Sequence, residues 1–205
     1  MTLRQLAFLP FALLAACTGT PRPAAPVAQA PIEVQILAFN DFHGNLETAA
    51  AVEVFEADGS KRKIVTGGAA NLAGALAQAR TGKPYSVTVS AGDTIGATPL
   101  ISAFYLDEPT IAAMNLLGVE FNAVGNHEFD KGGDELRRMQ AGGCARFTRR
   151  QPCAVEPFAG AKFRYLSANV FGTDGQTFFP ATGIKTFGSG PDAVTIGFIG
   201  MTLKE

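Results

Sequence analysis

The sequence has 205 residues, 47% of them hydrophobic, and a formal net charge of −1. This length and apolar content suit one globular domain with short appendages. The near balance of charge, without a long run of lysine and arginine, gives no sign of binding to nucleic acid or to an anionic membrane surface. The clearest basic cluster, Arg146, Arg149 and Arg150, is typical of a solvated loop.

The N-terminus has the pattern of a targeting segment. Its apolar stretch, residues 6–16, is too short to span a bilayer but matches the core of a signal peptide. The stretch ends in Leu14-Ala-Ala-Cys17, which resembles the lipobox of bacterial lipoproteins, although an ordinary signal peptide that ends near a cysteine has the same pattern. We predict a signal peptide over 1–17, with Cys17 as the lipid anchor, and a proline- and alanine-rich linker over 18–31. The protein is then exported, as a periplasmic or cell-envelope lipoprotein that touches a membrane only through this anchor.

From residue 32 onward, short apolar runs alternate with helical patterns. In chain order we predict a strand at 34–40, a hairpin at 52–65, a helix at 67–82, a strand at 85–93, a helix at 109–118, a strand at 121–126, a helix at 134–143, and strands at 164–170 and 193–202. The hairpin follows from an Asp58-Gly59 turn between two β-rich flanks. Strands that alternate with helices predict an α/β fold with a mainly parallel sheet covered on both faces.

Two cysteines, Cys144 and Cys153, lie in this folded part. In an exported protein a nearby pair most simply forms a disulfide that closes a loop. A metal site is a poor alternative because no histidine or further cysteine lies near in sequence. A redox role is also poor because the spacing is not Cys-x-x-Cys.

Polar side chains able to bind a metal follow three successive predicted strands. Asp41 and His43 follow the first strand, with a spacing that should point both side chains the same way while Phe42 turns toward the core. Asp93 follows the second strand, after small residues that allow close approach of the backbone. In open α/β sheets, ligands bind beyond the carboxyl ends of the strands. Alone, the Asp-x-His pattern is a weak sign of a metal pair, and Gly-Asp after a strand is more often an ordinary turn.

The third strand ends in Asn126-His127-Glu128-Phe-Asp130. Asparagine offers a neutral oxygen ligand, histidine can bind a metal or transfer a proton, and a carboxylate three residues later can orient the imidazole. A helix N-cap is the plainer interpretation of Asn126, and a surface histidine that of His127. All of these plainer interpretations would have to hold together at the ends of three consecutive strands. That coincidence favours a functional site.

The donor set of two carboxylates, one imidazole and one amide oxygen suits Mn²⁺, Zn²⁺, Co²⁺ or a similar divalent ion. If Asp93 bridges two such ions, the pair forms a clamp for the attacking and leaving oxygens of a phosphoryl displacement. The positive charge left in the cleft would attract a phosphate dianion, with metal-bound hydroxide as the nucleophile. The residues therefore predict two divalent metal ions and a phosphate-ester substrate.

Six segments carry a family resemblance: LAFNDFHGNLE, GGAANLAGALA, VSAGDTIGATPLIS, NAVGNHEFDKG, LSANV and IGFIGMT. In order and spacing they resemble the N-terminal half of the catalytic domain of the secreted bacterial 5′-nucleotidases, which belong to the calcineurin-like metallophosphoesterase superfamily. The resemblance covers about residues 33–202. It implies an α/β fold built as a layered β-sheet sandwich flanked by helices, of which this chain supplies the N-terminal half over 32–205.

The resemblance also implies a role for each site residue. Asp41 and His43 bind one metal, Asp93 bridges both metals, and Asn126 binds the second.

The resemblance further implies that His127 and Asp130, which follow Asn126, take part in catalysis. His127 stabilises the phosphoryl transition state or protonates the leaving oxygen, and Asp130 holds its imidazole. Glu128 has no catalytic role and is expected to be a structural residue or one that supports a ligand.

The sequence departs from this family after His127, which is its last histidine. Members supply further histidines in Gly-His and Gly-His-x-His motifs and then a domain that grips the nucleoside. We therefore expect this chain to be an incomplete part of a longer enzyme, with its second metal held only by Asp93 and Asn126 and retained poorly. The expected reaction is hydrolysis of nucleoside 5′-phosphates or related esters. A 2′,3′-cyclic nucleotide or sugar-nucleotide hydrolase, or an inactive phosphate- or metal-binding lipoprotein, is the alternative.

Overall fold

The computed structural model describes residues 31–48 and 51–204. The predicted signal peptide with Cys17, and all of the predicted linker except Pro31, lie outside the described residues. Among the helices described, none combines the length and the hydropathy that a membrane crossing requires.

The elements follow the predicted order closely. The helices are α1 Gly68–Arg80, α2 Leu100–Ala103, α3 Glu108–Leu117 and α4 Gly133–Ala141. The strands are β1 Gln35–Phe39, β2 Val52–Phe55, β3 Lys61–Ile64, β4 Ser86–Ser90, β5 Phe121–Ala123, β6 Arg164–Leu166, β7 Thr182–Phe187 and β8 Val194–Ile199. All nine predicted elements are found, most of them shortened at one or both ends, whereas α2 and β7 were not predicted.

The central sheet has four parallel strands in the order β1-β4-β5-β6. Gln35 pairs with Ser86 at one end of β1 and Phe39 pairs with Ser90 at the other, so β1 and β4 end at the same level. Ser90 also pairs with Asn122 of β5. The loops that follow β1, β4 and β5 therefore meet at one edge of the sheet, and the predicted parallel α/β fold is confirmed.

One face of the sheet packs against the longer helices. Each helix contributes apolar side chains to this core because its apolar residues recur on one side, and burial of each large side chain stabilises the fold by roughly 1.5–3 kcal/mol. The buried members of this cluster are Leu76, Ile95, Ile111, Met114, Leu117, Val119, Val124, Leu136, Met139, Phe163, Tyr165 and Phe179. Helix α3 ends where Gly118 adopts a left-handed φ of 72°.

The other face packs against an antiparallel pair, β7 and β8. Phe198 of β8 stacks on Phe121 of β5 at 5.0 Å, and Phe187 of β7 stacks on Tyr85 at 5.4 Å. The sheet is thus a layer between helices and a second pair of strands. The prediction of a strand over 193–202 is correct in position, but β8 pairs with β7 outside the parallel sheet.

Two smaller features lie away from this core. Strands β2 and β3 form the predicted hairpin, with Val52 opposite Ile64. Cys144 and Cys153 are joined by a disulfide with a Cα–Cα distance of 5.5 Å, as the sequence predicts. The backbone N–H of Cys153 donates to the Glu108 carboxylate at 3.0 Å, which fixes the closed loop to the start of α3.

Candidate active site

The loops after β1 and β4 are joined by main-chain hydrogen bonds. The N–H of Asp41 donates to the carbonyl of Gly92 at 3.1 Å, and the N–H of His43 donates to the carbonyl of Asp93 at 2.9 Å. Asp41, His43 and Asp93 all have left-handed φ values, of 53°, 45° and 52°. Residues with side chains rarely adopt this conformation, and it concentrates at functional sites where the surroundings enforce it.

The side chains of the first predicted pair, Asp41 and His43, lie close together, but the backbone conformation that brings them together differs from the predicted one. Asp41 Oδ1 lies 3.7 Å from His43 Nε2, and Phe42 packs against the core as expected. The expectation of extended chain with alternating side chains is wrong, because Asp41 and His43 both lie in left-handed turns after the strand ends. The turn, rather than strand alternation, places the carboxylate beside the imidazole.

The ring of His43 is oriented by a backbone carbonyl. Its Nδ1 lies 2.8 Å from the carbonyl oxygen of Gly96, an arrangement in which Nδ1–H donates. This tautomer leaves Nε2 with a free lone pair, as in a histidine that binds a metal through Nε2.

Three donors meet where the loops converge. One ligand atom from each of His43, Asp93 and His127 lies within 4.8 Å of the others. The two imidazole rings lie edge to face, with centroids 5.0 Å apart. Asp41, Asp93 and Asn126 also line one cleft of about 290 Å³, whose wall includes residues 201–203.

This donor set fits a divalent cation. Carboxylate and amide oxygens with imidazole nitrogens are the ligands that Mn²⁺, Zn²⁺ and Co²⁺ accept. Among residues 31–48 and 51–204, no lysine or arginine forms an ion pair with Asp41 or Asp93. The two carboxylates therefore keep their charge available to a bound cation.

His127 and Asp130 form a pair in the short 3₁₀ turn after β5. His127 Nδ1 lies 3.0 Å from Asp130 Oδ2 and 3.2 Å from Oδ1. Asp130 is itself held by the N–H of Ala97, which donates to Oδ2 at 3.1 Å. The hydrogen bond and charge of Asp130 raise the pKa of His127 above its ordinary value.

Glu128 follows His127 in the chain and is buried. Its carboxylate accepts hydrogen bonds from the N–H groups of Asp93, Thr94 and Gly125 at 2.9, 2.9 and 2.7 Å, and from the Thr94 hydroxyl at 2.8 Å. Burial raises the pKa of Glu128, and the four donors oppose that shift. The residue connects the loops after β4 and β5.

Two glycines permit this close approach of the loops. A Cβ on Gly125 would lie 2.1 Å from Asp93 Oδ1, and a Cβ on Gly96 would lie 2.2 Å from the His127 carbonyl oxygen. No side chain fits in either place without moving a site residue.

Two residues that support the site were not predicted from the sequence. Gly96 supplies the carbonyl that orients His43. Asp107 is fully buried and accepts hydrogen bonds from Thr98 Oγ1 at 2.6 Å and from Ser102 Oγ at 2.8 Å, while it also pairs with Lys131. The adjacent small residues Gly96 and Ala97 were the available sign that this loop is tightly packed, but nothing in the sequence pairs the loop with Asp107.

No family model matches the chain, but several known proteins are similar to it in sequence. An uncharacterized protein of Acinetobacter calcoaceticus, from the 5′ region of pqq-V, is 45% identical over 188 residues, which are 88% of this chain and 92% of that protein. The endonuclease YhcR of Bacillus subtilis is 33% identical over 90% of this chain and 14% of its own length. The bovine 5′-nucleotidase is 35% identical over 53% of this chain and 18% of its own length.

Solved structures share the fold. The NAD nucleotidase NadN of Haemophilus influenzae matches 83% of this chain and 26% of its own, with a TM-score of 0.62 and 24% identity. The calcineurin-like phosphoesterase YfkN of Bacillus subtilis matches 82% of this chain and 48% of its own, with a TM-score of 0.55 and 24% identity.

The chain thus spans most of the Acinetobacter protein but only about half or less of the other proteins named here. The relatives that carry an activity in their names include several 5′-nucleotidases, and the shared fold is that of calcineurin-like phosphoesterases. The chain is therefore similar in sequence to parts of longer 5′-nucleotidases and shares the fold of a calcineurin-like phosphoesterase.

Proposed function

We propose that this chain carries half of the active site of a metal-dependent phosphoesterase that hydrolyses nucleoside 5′-phosphates or related phosphate esters. One observation carries the proposal: donor atoms of His43, Asp93 and His127 lie within 4.8 Å of one another where three loops meet. Such convergence of acidic and imidazole groups has no evident structural purpose, because their mutual contacts contribute little to a hydrophobic core.

In the proposed site, Asp41, His43 and Asp93 would hold one divalent ion, and Asp93 with Asn126 would hold a second. The ions, Mn²⁺, Zn²⁺, Co²⁺ or similar, would supply positive charge that stabilises the phosphoryl oxygens and lowers the pKa of the attacking water. Among residues 31–48 and 51–204 the proposed second ion has two protein ligands and the first has three, so we expect the first ion to be held more tightly.

His127 is the proposed catalytic side chain. Asp130 holds its Nδ1, which leaves Nε2 for the phosphate or for the oxygen of the leaving group. The raised pKa of His127 keeps the imidazole protonated to higher pH, and a protonated imidazole can both stabilise developing negative charge and donate a proton. Asp130 therefore acts by fixing the orientation and the charge of His127.

We further propose that the protein is exported and held at the cell envelope by a lipid on Cys17, through the signal peptide over 1–17 and the linker over 18–31. The pattern of the N-terminal sequence supports this location. Incorporation of labelled palmitate into the wild-type protein, and its loss in Cys17→Ser, would test it. Equal labelling of both proteins would contradict it.

The test of the reaction is phosphate release from AMP by the protein supplied with Mn²⁺, Co²⁺ or Zn²⁺. We expect release that EDTA abolishes and that His127→Ala and Asp93→Ala reduce strongly. Activity that persists unchanged in either variant would contradict the proposal.

Parallel assays distinguish the substrate alternatives. Faster turnover of a 2′,3′-cyclic nucleotide or of a sugar nucleotide than of AMP would assign the protein to that reaction. Metal or phosphate binding without turnover of any ester would assign it to the non-enzymatic alternative.

A further inference from the structure

We propose that Glu128 is a positioning residue that sets the carboxylate of Asp93 for metal binding; this inference rests on the proposed function. Glu128 is 3% exposed, and each of its two carboxylate oxygens accepts two hydrogen bonds from the protein. The carboxylate is therefore enclosed by protein groups, and it acts on the candidate metal ligands through those hydrogen bonds and not by contact with a substrate.

The contacts of Glu128 are divided between two loops. One oxygen, Oε2, accepts the N–H of Asp93 at 2.9 Å and the N–H of Gly125 at 2.7 Å. The other, Oε1, accepts the N–H and the hydroxyl of Thr94 at 2.9 and 2.8 Å. Hydrogen bonds to an ionised acceptor are stronger than neutral ones, so a single carboxylate fixes the distance between the ends of β4 and β5.

The backbone of Asp93 needs such a restraint. Its φ of 52° lies in the left-handed region, which a residue with a Cβ occupies only when its surroundings enforce it. The hydrogen bond from Asp93 N–H to Glu128 Oε2 is made at this residue and holds that conformation. Loss of the bond would free Asp93 to relax and would turn its side chain.

The side chain of Asp93 is held by the residue next to Glu128. The N–H of His127 donates to Asp93 Oδ1 at 3.1 Å. The turn His127–Phe129 thus fixes Asp93 twice, through the Glu128 carboxylate to its backbone and through the His127 N–H to its carboxylate. A shift of Glu128 would move both contacts together.

A buried glutamate could instead serve stability alone, and this chain offers a matched control. Glu135 is 2% exposed and accepts hydrogen bonds from Arg138 Nη2 and Nε at 2.6 and 3.0 Å. It lies on α4 and contacts neither Asp93 nor another candidate ligand. Both glutamates are buried and fully hydrogen-bonded, but only Glu128 bonds to the candidate metal loops.

The experiment compares Glu128→Gln with Glu135→Gln by calorimetric titration with Mn²⁺ and by the visible spectrum of bound Co²⁺, alongside the melting temperature. We expect Glu128→Gln to weaken Mn²⁺ binding by roughly 10–100-fold, as loss of residues that orient metal ligands commonly does, and to alter the Co²⁺ spectrum. Glu135→Gln should lower the melting temperature and leave both metal readouts as in the wild type.

Equal Mn²⁺ affinity in the wild type and Glu128→Gln would overturn this inference but not the proposed function. An equal loss of Mn²⁺ affinity in Glu128→Gln and Glu135→Gln would do the same. A wild-type protein that binds no Mn²⁺ would overturn the proposed function and this inference with it.

If Glu128→Gln does not fold, Thr94→Val removes one of the four donors to the same carboxylate. That variant should weaken Mn²⁺ binding less than tenfold but measurably, and unchanged affinity would overturn the inference.

Discussion

Asp130 Oδ2 lies 3.0 Å from His127 Nδ1, and the same oxygen accepts the N–H of Ala97 at 3.1 Å. The carboxylate is thus fixed to the loop after β4 while it holds the imidazole that follows β5. Through Asp130, the geometry of one loop determines the orientation and the pKa of a side chain on another.

Asp130→Asn should lower the pKa of His127 toward the ordinary histidine value of about 6.5. The hydrogen bond and charge of Asp130 raise that pKa in the folded protein, so the stabilisation they provide is complete below the unfolded value and is lost as pH rises through the folded value. NMR titration of the metal-free protein can measure this directly, because the chain has only two histidines.

The same variant should change the pH dependence of phosphate release. If protonated His127 donates to the leaving oxygen, the alkaline limb of the profile should shift to lower pH in Asp130→Asn. An unchanged His127 pKa in the variant would show that Asp130 does not control the imidazole.

Gly125→Ala should damage the site through crowding. The new Cβ would lie 2.1 Å from Asp93 Oδ1, so either the carboxylate or the loop must move. We expect a loss of about 1–3 kcal/mol in the free energy of unfolding and weaker Mn²⁺ binding. Urea denaturation and calorimetric titration measure the two effects.

Gly74→Ala is the matched control for this change. Gly74 lies within α1, and a Cβ added there meets no atom within 4 Å. Alanine in a helix interior should raise the free energy of unfolding by about 0.5–1 kcal/mol and leave metal binding unchanged. Equal effects of the two substitutions would exclude crowding at Asp93 as the cause.

Lys131→Met should destabilise the fold because it leaves the Asp107 carboxylate buried without its cation. Asp107 is fully buried, and removal of one partner of a buried pair costs about 3 kcal/mol or more. Adding Asp107→Asn to that variant should recover part of the loss. Urea denaturation of the single and double variants checks this, and a double variant less stable than Lys131→Met would contradict it.

The pair also predicts a pH dependence. Burial acts to raise the pKa of Asp107, but Lys131 and the hydroxyls of Thr98 and Ser102 together lower it below the ordinary value. Its contribution to stability is therefore present above the unfolded pKa and is lost as pH falls through the folded one. The wild-type melting temperature should fall on acidification more steeply than that of Lys131→Met.

Replacement of both Cys144 and Cys153 by alanine should lower the free energy of unfolding by about 2–3 kcal/mol. This is the contribution expected when a disulfide that closes a loop of this length no longer restricts the unfolded chain. The metal loops lie elsewhere in the chain, so Mn²⁺ affinity should not change. Thermal denaturation with and without reductant checks the first expectation, and a reductant-insensitive wild type would contradict it.

Much of the fold could be predicted because helix and strand patterns are local. The β7 strand was missed because TGIKTF has neither a continuous apolar run nor clean alternation, and it becomes a strand only by pairing with β8. The pairing of β8 outside the parallel sheet depends on that same unseen partner.

The candidate metal-binding residues of the site could be predicted from the sequence. Asp41, Asp93 and Asn126 were each found because they follow strands whose ends meet at one sheet edge. What supports them could not be predicted, because Gly96 and Asp107 act through backbone groups and buried contacts between distant residues. The left-handed turns at Asp41 and His43 were also not evident, since neither residue is glycine.

The most direct test of the account is anomalous diffraction from crystals of the protein equilibrated with Mn²⁺. We predict a manganese peak bounded by the side chains of Asp41, His43 and Asp93 in the wild type and no peak there in Asp93→Ala. A wild-type crystal at saturating Mn²⁺ with no peak among these residues, or an Asp93→Ala crystal that retains it, would contradict the account.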